Sequence, residues 1–552
     1  MPAELILENG RAITFDPSCE EAQAVAVSDG RIAAVGSNQD VAAWKSPRTR
    51  VIDAQGGTIL PGFIDSHVHL FIGAAELEAL DLTGIEGEDA LTGVARAYAA
   101  GRPEDRIVYA VGADYGMLGR GRQITRQDLD RVLPDRPFAM MAADHHTVWA
   151  NTAALQAAGL LDVPPDLQGA EVVRGPDGKA SGMLLETGAF GPVLALTKYG
   201  GRDLAGYVTG ADPDPAPTAR ERATDQEVIA KGLAHCAANG ITTLHNMDGN
   251  LYQLELLDAV RGAGDMVCRV QVPCHLRPEH GVAKLAEAQE MRARFDDDWL
   301  WSGRVKMFMD GVIDGYTAFM LRPYPGRPDT RGEALFDAEV FDEICVAADA
   351  MGLQISVHAI GDAAVRRTLD GFAAARRVNG VRDSRHRVEH IETLHADDLP
   401  RFAELGAVAS MQPMHAPAGG MFPVPSADLL HPDQVALAFP WQSLSEAGAA
   451  LVFSTDWSVV PVDVMPSIRA AVAPRTPEGW PDQGLSLRQA LAAYTRDNAW
   501  VAFREDRKGR LAAGYLADLV VMSDDLDALA PAELDKARPM VTICGGRVTY
   551  EA

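Results

Sequence analysis

Short apolar runs punctuated by glycine-bearing turns open the chain. Leu5-Ile6-Leu7, Ala24-Val25-Ala26-Val27 and Arg31-Ile32-Ala33-Ala34-Val35 are separated by Asn9-Gly10, Asp29-Gly30 and Gly36-Ser37. Asn-Gly and Asp-Gly supply the positive φ angles of tight two-residue turns, so the pattern predicts hairpins. The same texture returns at the far end. Ala517–Met522 and Val541–Cys544 read as strands, and Gly545-Gly546 reads as a hairpin turn before Arg547–Tyr550. Two strand-rich ends flanking a different middle predict one small β-sandwich assembled from both termini, residues 1–58 and 505–552.

The middle, 59–504, alternates strand-like and helix-like segments, which is the signature of an α/β fold with a parallel sheet and helical crossovers. Eight strands are predicted, at 61–69, 240–245, 268–274, 304–309, 353–358, 387–391, 407–412 and 450–455. Eight such units make a (β/α)8 TIM barrel, with its active site at the C-terminal ends of the strands. About 165 residues between the first two strands are too many for one loop. They carry strand-like runs of their own (Ile107–Val111, Phe138–Ala142) and a turn near Arg174–Gly178, and read as a cap subdomain inserted at about 75–225.

Composition narrows the class without naming a function. At 552 residues with 47% hydrophobic and 23% charged side chains, the chain is large enough for a barrel plus a smaller domain. A formal net charge of -27 argues against nucleic acid or an anionic membrane as partner. The six cysteines show no CxxC pair, and the start has no basic segment followed by an apolar core. A reducing, cytoplasmic setting is therefore expected, with a small molecule as substrate.

Chemistry enters at the strand ends. His67-Val68-His69 closes the run Ile59–Ser66, and residues i and i+2 of a strand point to the same side, so both imidazoles can reach one ion. Lys306, His358, His390 and Asp456 end or lie in the predicted fourth, fifth, sixth and eighth strands. A single strand-end histidine is ordinarily just a hydrogen-bonded polar residue. Six residues of metal-binding type recurring in one register are a ligand set for divalent metal.

These stretches carry a resemblance. Leu60–His69, Val305–Gly311, His358–Ala364, Arg387–His390, Gln412–His415 and Ser454–Trp457, with the closing Gly509–Val520, resemble the metal-dependent amidohydrolase superfamily. Within it the chain is similar to the amidohydrolase-3 (YtcJ-like) branch, which includes N-substituted formamide deformylase. The resemblance implies two divalent ions, zinc by default. His67, His69 and Asp456 would hold one, His358 and His390 the other, and an N6-carboxylated Lys306 would bridge them. Glu186 is a rival bridge or a pocket residue. A homodimer is a family expectation.

The implied reaction is hydrolysis of a carbon–nitrogen bond, such as that of an N-formyl or N-acyl amine. Asp456 would move the proton and His146 would donate to the developing oxyanion. His245, His415 and Trp457 would touch substrate, with Met309, Tyr316, Phe319 and Phe422 as further pocket walls and Ala416–Ser426 as a lid. Two alternatives stand beside this reading. Deaminases of the superfamily place a glutamate soon after the strand-five histidine and lack the bridging lysine, whereas this chain has His358-Ala359-Ile360-Gly361-Asp362 and Lys306. A scaffold that has lost its metals would not need all six ligand-type residues.

Overall fold

Eight parallel strands close into a barrel: β1 (Phe63–Val68), β2 (Ile241–Asn246), β3 (Arg269–Gln271 and Cys274–His275), β4 (Leu300–Trp301 and Arg304–Phe308), β5 (Gln354–Ala359), β6 (Arg387–His390), β7 (Val408–Met411) and β8 (Ala450–Phe453). The computed structural model describes residues 2–119, 121–143, 145–162, 166–167, 170–417 and 429–552. Strands β3 and β4 are each interrupted, β3 at Pro273, which cannot donate to a ladder. Closure runs from β8 back to β1, where Asp456 N–H donates to His67 O at 2.8 Å and His69 N–H to Trp457 O at 2.6 Å. Helices α1 (Leu251–Ala263), α2 (Leu285–Arg294), α3 (Ala338–Ala350) and α4 (Asp362–Asn379) are four of the crossovers. Strands β1, β2, β5, β6 and β7 are buried along their whole length, which explains why they read as continuous apolar runs rather than alternating ones.

The apolar run Ile59–Ser66, expected to be one strand, is two. Thr58–Pro61 pairs antiparallel with Leu519–Met522, and only after Gly62 does the chain enter β1. Gly62 packs so closely on Thr242 of β2 that a Cβ there would collide with its side chain. Gly62→Ala is therefore expected to destabilise the protein by roughly 1–3 kcal/mol, read as a lowered thermal midpoint. An unchanged midpoint would mean that β1 and β2 separate freely at this point.

The two ends of the chain share one sheet, ordered Arg547–Glu551, Pro539–Cys544, Leu519–Met522, Thr58–Pro61, Arg11–Ile13, Glu21–Ala22. A second sheet holds Arg31–Gly36, Ala24–Ser28, Leu5–Glu8 and Arg50–Asp53. Leu5, Leu7, Val25 and Val27 join Ile59, Leu519, Val521 and Ile543 in one core. The alternate positions Ile6, Ala24 and Ala26 pack instead under Val41 of a short helix, as the two-residue strand period requires. Asp29-Gly30 and Gly545-Gly546 are tight hairpin turns with φ positive at both residues. Asn9-Gly10 is not a hairpin. Leu5–Glu8 is already paired on both edges, so Arg11–Ile13 crosses to the other sheet.

The chain divides into two compact units, Met1–His69 with Leu233–Ala552, and Leu70–Gly232. The second unit has its own seven-stranded sheet, ordered Asp166–Leu167, Ala170–Arg174, Ala180–Leu185, Thr147–Ala150, Phe138–Ala142, Val108–Ala113, Leu80–Asp81. Alternation along Phe138–Ala142 feeds two cores, Phe138 and Met140 on one face and Ala139 and Met141 on the other. All six cysteines are free thiols. Among the described residues, no helix is long and apolar enough to cross a membrane.

Candidate metal centre

Strand β1 supplies the first two donors. His67 Nδ1–H donates to Glu389 Oε2 at 2.9 Å, and His69 Nδ1–H donates to Asp248 Oδ1 at 3.0 Å. A carboxylate behind Nδ1 fixes the tautomer and turns Nε2 into the lone-pair atom, the arrangement that orients metal-binding histidines. The two Nε2 atoms lie 3.4 and 3.3 Å from a single oxygen, Asp456 Oδ1.

The other oxygen of Asp456 faces a second pair. His390 Nδ1 is 4.0 Å and His415 Nε2 3.6 Å from Asp456 Oδ2. His67, His69 and Asp456 form one donor triad and His390, His415 and Asp456 another, the donor atoms of each lying within 4.8 Å of one another. Both His390 and Asp456 adopt positive φ (76° and 65°) just where their strands end, a conformation that costs non-glycine residues about 1–3 kcal/mol and collects at functional sites. It also explains how two neighbours on β6, Glu389 and His390, both meet His67. Glu389 hydrogen-bonds it, and the His390 ring centroid lies 4.9 Å from its own.

His67 Nε2, His390 Nδ1, Asp456 Oδ1 and Lys306 Nζ are buried polar atoms with no hydrogen-bond partner among the described residues. Each such atom costs about 1–3 kcal/mol unless a ligand satisfies it. Imidazole nitrogens and a carboxylate oxygen converging in this way fit a divalent ion such as zinc. Lys306 is fully buried with Nζ 3.7 Å from the Phe308 ring centroid. Burial pulls its pKa down to about 7, against the attraction of Glu389 and Asp456, so much of it is a neutral amine at neutral pH.

The His358 ring packs 4.5 Å from that of His390, with Nε2–H donating to Gly311 O at 3.1 Å, outside both donor triads. His415, expected to touch substrate, stands instead in a donor position. Trp457 is buried against His235, and its carbonyl fixes the His69 backbone. His245 is buried inside the barrel beside Arg387. Met309 is core, and Tyr316 packs edge-to-face against Tyr324. His146 and Glu186 belong to the Leu70–Gly232 unit and pair with each other at 3.1 Å. Phe422 and most of Ala416–Ser426 lie outside the described residues.

Four carboxylates that the motif reading passed over orient the centre. Glu389 and Asp248 hold the imidazoles. Asp65 accepts from the backbone N–H of His67 and Thr455 and from the Thr455 hydroxyl, tying β1 to the segment after β8. Asp310 accepts the backbone N–H groups of Phe319, Ile360 and Gly361. Their signal was position, since each sits within or beside a stretch already singled out for its ligand-type residue.

Residues 50–550 match the Amidohydrolase family. The chain belongs to the amidohydrolase family. It is accordingly a hydrolase. Its relatives include YtcJ of Bacillus subtilis (strain 168), 27% identical over 559 residues and covering 99% of each chain. N-substituted formamide deformylase of Arthrobacter pascens is 26% identical over 566 residues, covering 99% of this chain and 98% of its own. Among solved structures, an uncharacterized metal-dependent hydrolase from Pyrococcus furiosus superposes with a TM-score of 0.70 at 25% identity, covering 93% of this chain and 98% of its own.

In this amidohydrolase the protonation pattern makes a prediction. Burial opposes a charge on His69, but Asp248 and Asp456 outweigh it and raise the pKa to about 9, whereas burial drives His67 down to about 4. An incoming cation must displace the His69 proton and meets none on His67. Apparent metal affinity should then rise about tenfold per pH unit from 7 toward 9, with one proton released per ion. Calorimetric titration in buffers of different ionisation enthalpy measures this. A pH-independent affinity would show that His69 is not displaced.

Proposed function

We propose that this amidohydrolase uses divalent metal to hydrolyse a non-peptide carbon–nitrogen bond in a small molecule, an N-formyl or N-acyl amine. The observation that carries the reading is the convergence of two imidazole pairs on the two oxygens of Asp456. His67, His69 and Asp456 would hold one ion. His390 with His415 or His358 would hold a second, beside Lys306. When bound, a divalent ion supplies an acidified water and polarises a carbonyl oxygen.

The chain's own groups do the rest. Asp456 is kept strongly acidic: burial opposes its charge, but His67, His69 and His390 outweigh it. Its two oxygens reach both donor sets, so it is placed to take a proton from water and pass it to the departing amine. Glu389 and Asp248 keep the β1 imidazoles in the tautomer that leaves Nε2 available. The neutral amine of Lys306 could add carbon dioxide, forming an N–C bond as a C=O π bond opens and losing a proton, to give a carbamate that would offer anionic oxygen donors to metal.

The N-formyl and N-acyl class is supported by the full-length relative named for deformylation of N-substituted formamides. The test is a panel of N-substituted formamides, acetamides, N-acyl amino acids and aminated heterocycles, read as primary amine and ammonia. Amine release from the acyl panel is expected. Ammonia from heterocycles alone would replace this reading with deamination.

A further inference from the structure

Below the metal centre, the barrel interior holds a layer of buried donors with too few acceptors. The ladder register sets His245, Gln271 and Trp301 side by side on β2, β3 and β4. Arg304 lies on the same strand as Trp301 and donates through Nη2 to the carbonyl of Asn246 at 2.9 Å, which brings its guanidinium beside His245. All four side chains are buried, His245 and Arg304 completely.

Charge in this layer does not balance. Arg387 pairs with Glu389 at 2.8 Å and also donates to Ser66 O and Ser410 Oγ. Glu389 further accepts from His67 and Ser356. Glu389 is thus committed to Arg387, and among the described residues Arg304 has no ion-pair partner of its own. Arg387 Nη1 lies 3.4 Å from His245 Nδ1, so Nδ1 is the acceptor and His245 Nε2 carries the hydrogen.

Arg304 Nε and Nη1, His245 Nε2 and Trp301 Nε1 are four N–H groups with no partner among the described residues. Among the described residues, the unpartnered acceptor-type atom of this layer is Gln271 Oε1, and an amide end can exchange its roles. A water would bring two hydrogens into a layer that lacks acceptors. A monovalent anion would supply the acceptor these donors lack and would offset the guanidinium charge of Arg304.

We propose that the barrel interior binds one chloride-sized anion between Arg304, His245 and Trp301. The site is separate from the proposed catalytic centre and does not rest on the hydrolase reading. Bound there, the ion locks β2 to β4 beneath the metal ligands, so halide contributes to stability rather than to turnover.

Two measurements on the full chain test it. In crystals soaked in bromide, an anomalous peak touching Arg304 and His245 is expected; no peak there, or ordinary water density, overturns the proposal. In solution the thermal midpoint is expected to rise by roughly one to three degrees when chloride replaces gluconate at equal ionic strength. Arg304→Met should remove that increment. Equal midpoints in the two salts, or an increment unchanged in Arg304→Met, would mean that any bromide seen is an adventitious ion only.

Discussion

Asp456→Asn is expected to lower kcat by about a thousandfold or more while leaving the protein folded. The carboxylate has two tasks in the proposed reaction. Its oxygens stand 3.3–3.4 Å from the β1 imidazoles and 3.6–4.0 Å from His415 and His390, so it belongs to both donor sets. It is also the group placed to move the proton. An amide keeps the shape and removes both the negative charge and the basicity, so the variant should lose metal as well as rate. Stability should survive, because the backbone links across the β8-to-β1 seam do not depend on the side chain. Turnover within tenfold of the wild type, with metal retained, would remove Asp456 from the chemistry.

Lys306→Met is expected to lower kcat by about 10²–10³-fold and to reduce the metal bound per chain. The side chain is fully buried, Nζ has no hydrogen-bond partner among the described residues, and burial lowers its pKa to about 7. A residue kept there only for packing would be replaced by methionine with little penalty, since the two have similar length and methionine avoids an unsatisfied amine. Loss of metal with an unchanged thermal midpoint therefore separates a metal-binding role from a structural one. Addition of a short carboxylic acid should restore part of the activity by standing in for the carbamate. A fully active variant with undiminished metal content would end the bridging proposal.

The barrel was legible because most of its strands are buried on both faces and so appear as apolar runs between helix-like segments. The ligand-type residues were legible because barrel geometry puts function at strand ends. What escaped reading was set by tertiary contacts. Nothing local says that Ile59–Ser66 breaks at Gly62; the break comes from the approach of Thr242, about 180 residues away along the chain. Asn9-Gly10 has hairpin chemistry, yet both edges of its preceding strand are occupied by segments that the dipeptide cannot announce. His358, read from the sequence as a ligand, lies within β5, whereas His415, read as a substrate contact, lies beyond the end of β7. The turn after β7 brings His415 Nε2 to 3.6 Å from Asp456 Oδ2. Glu389 and Asp248 likewise become meaningful only once a partner imidazole is brought to them.

The most direct test of the central claim is metal content and turnover measured together, on the purified protein, after chelator treatment, and after reconstitution with zinc. Stoichiometric divalent metal in the active protein, loss of activity in step with its removal, and recovery on its return are predicted. A chelated preparation free of metal that hydrolyses its amide at the original rate would contradict the account.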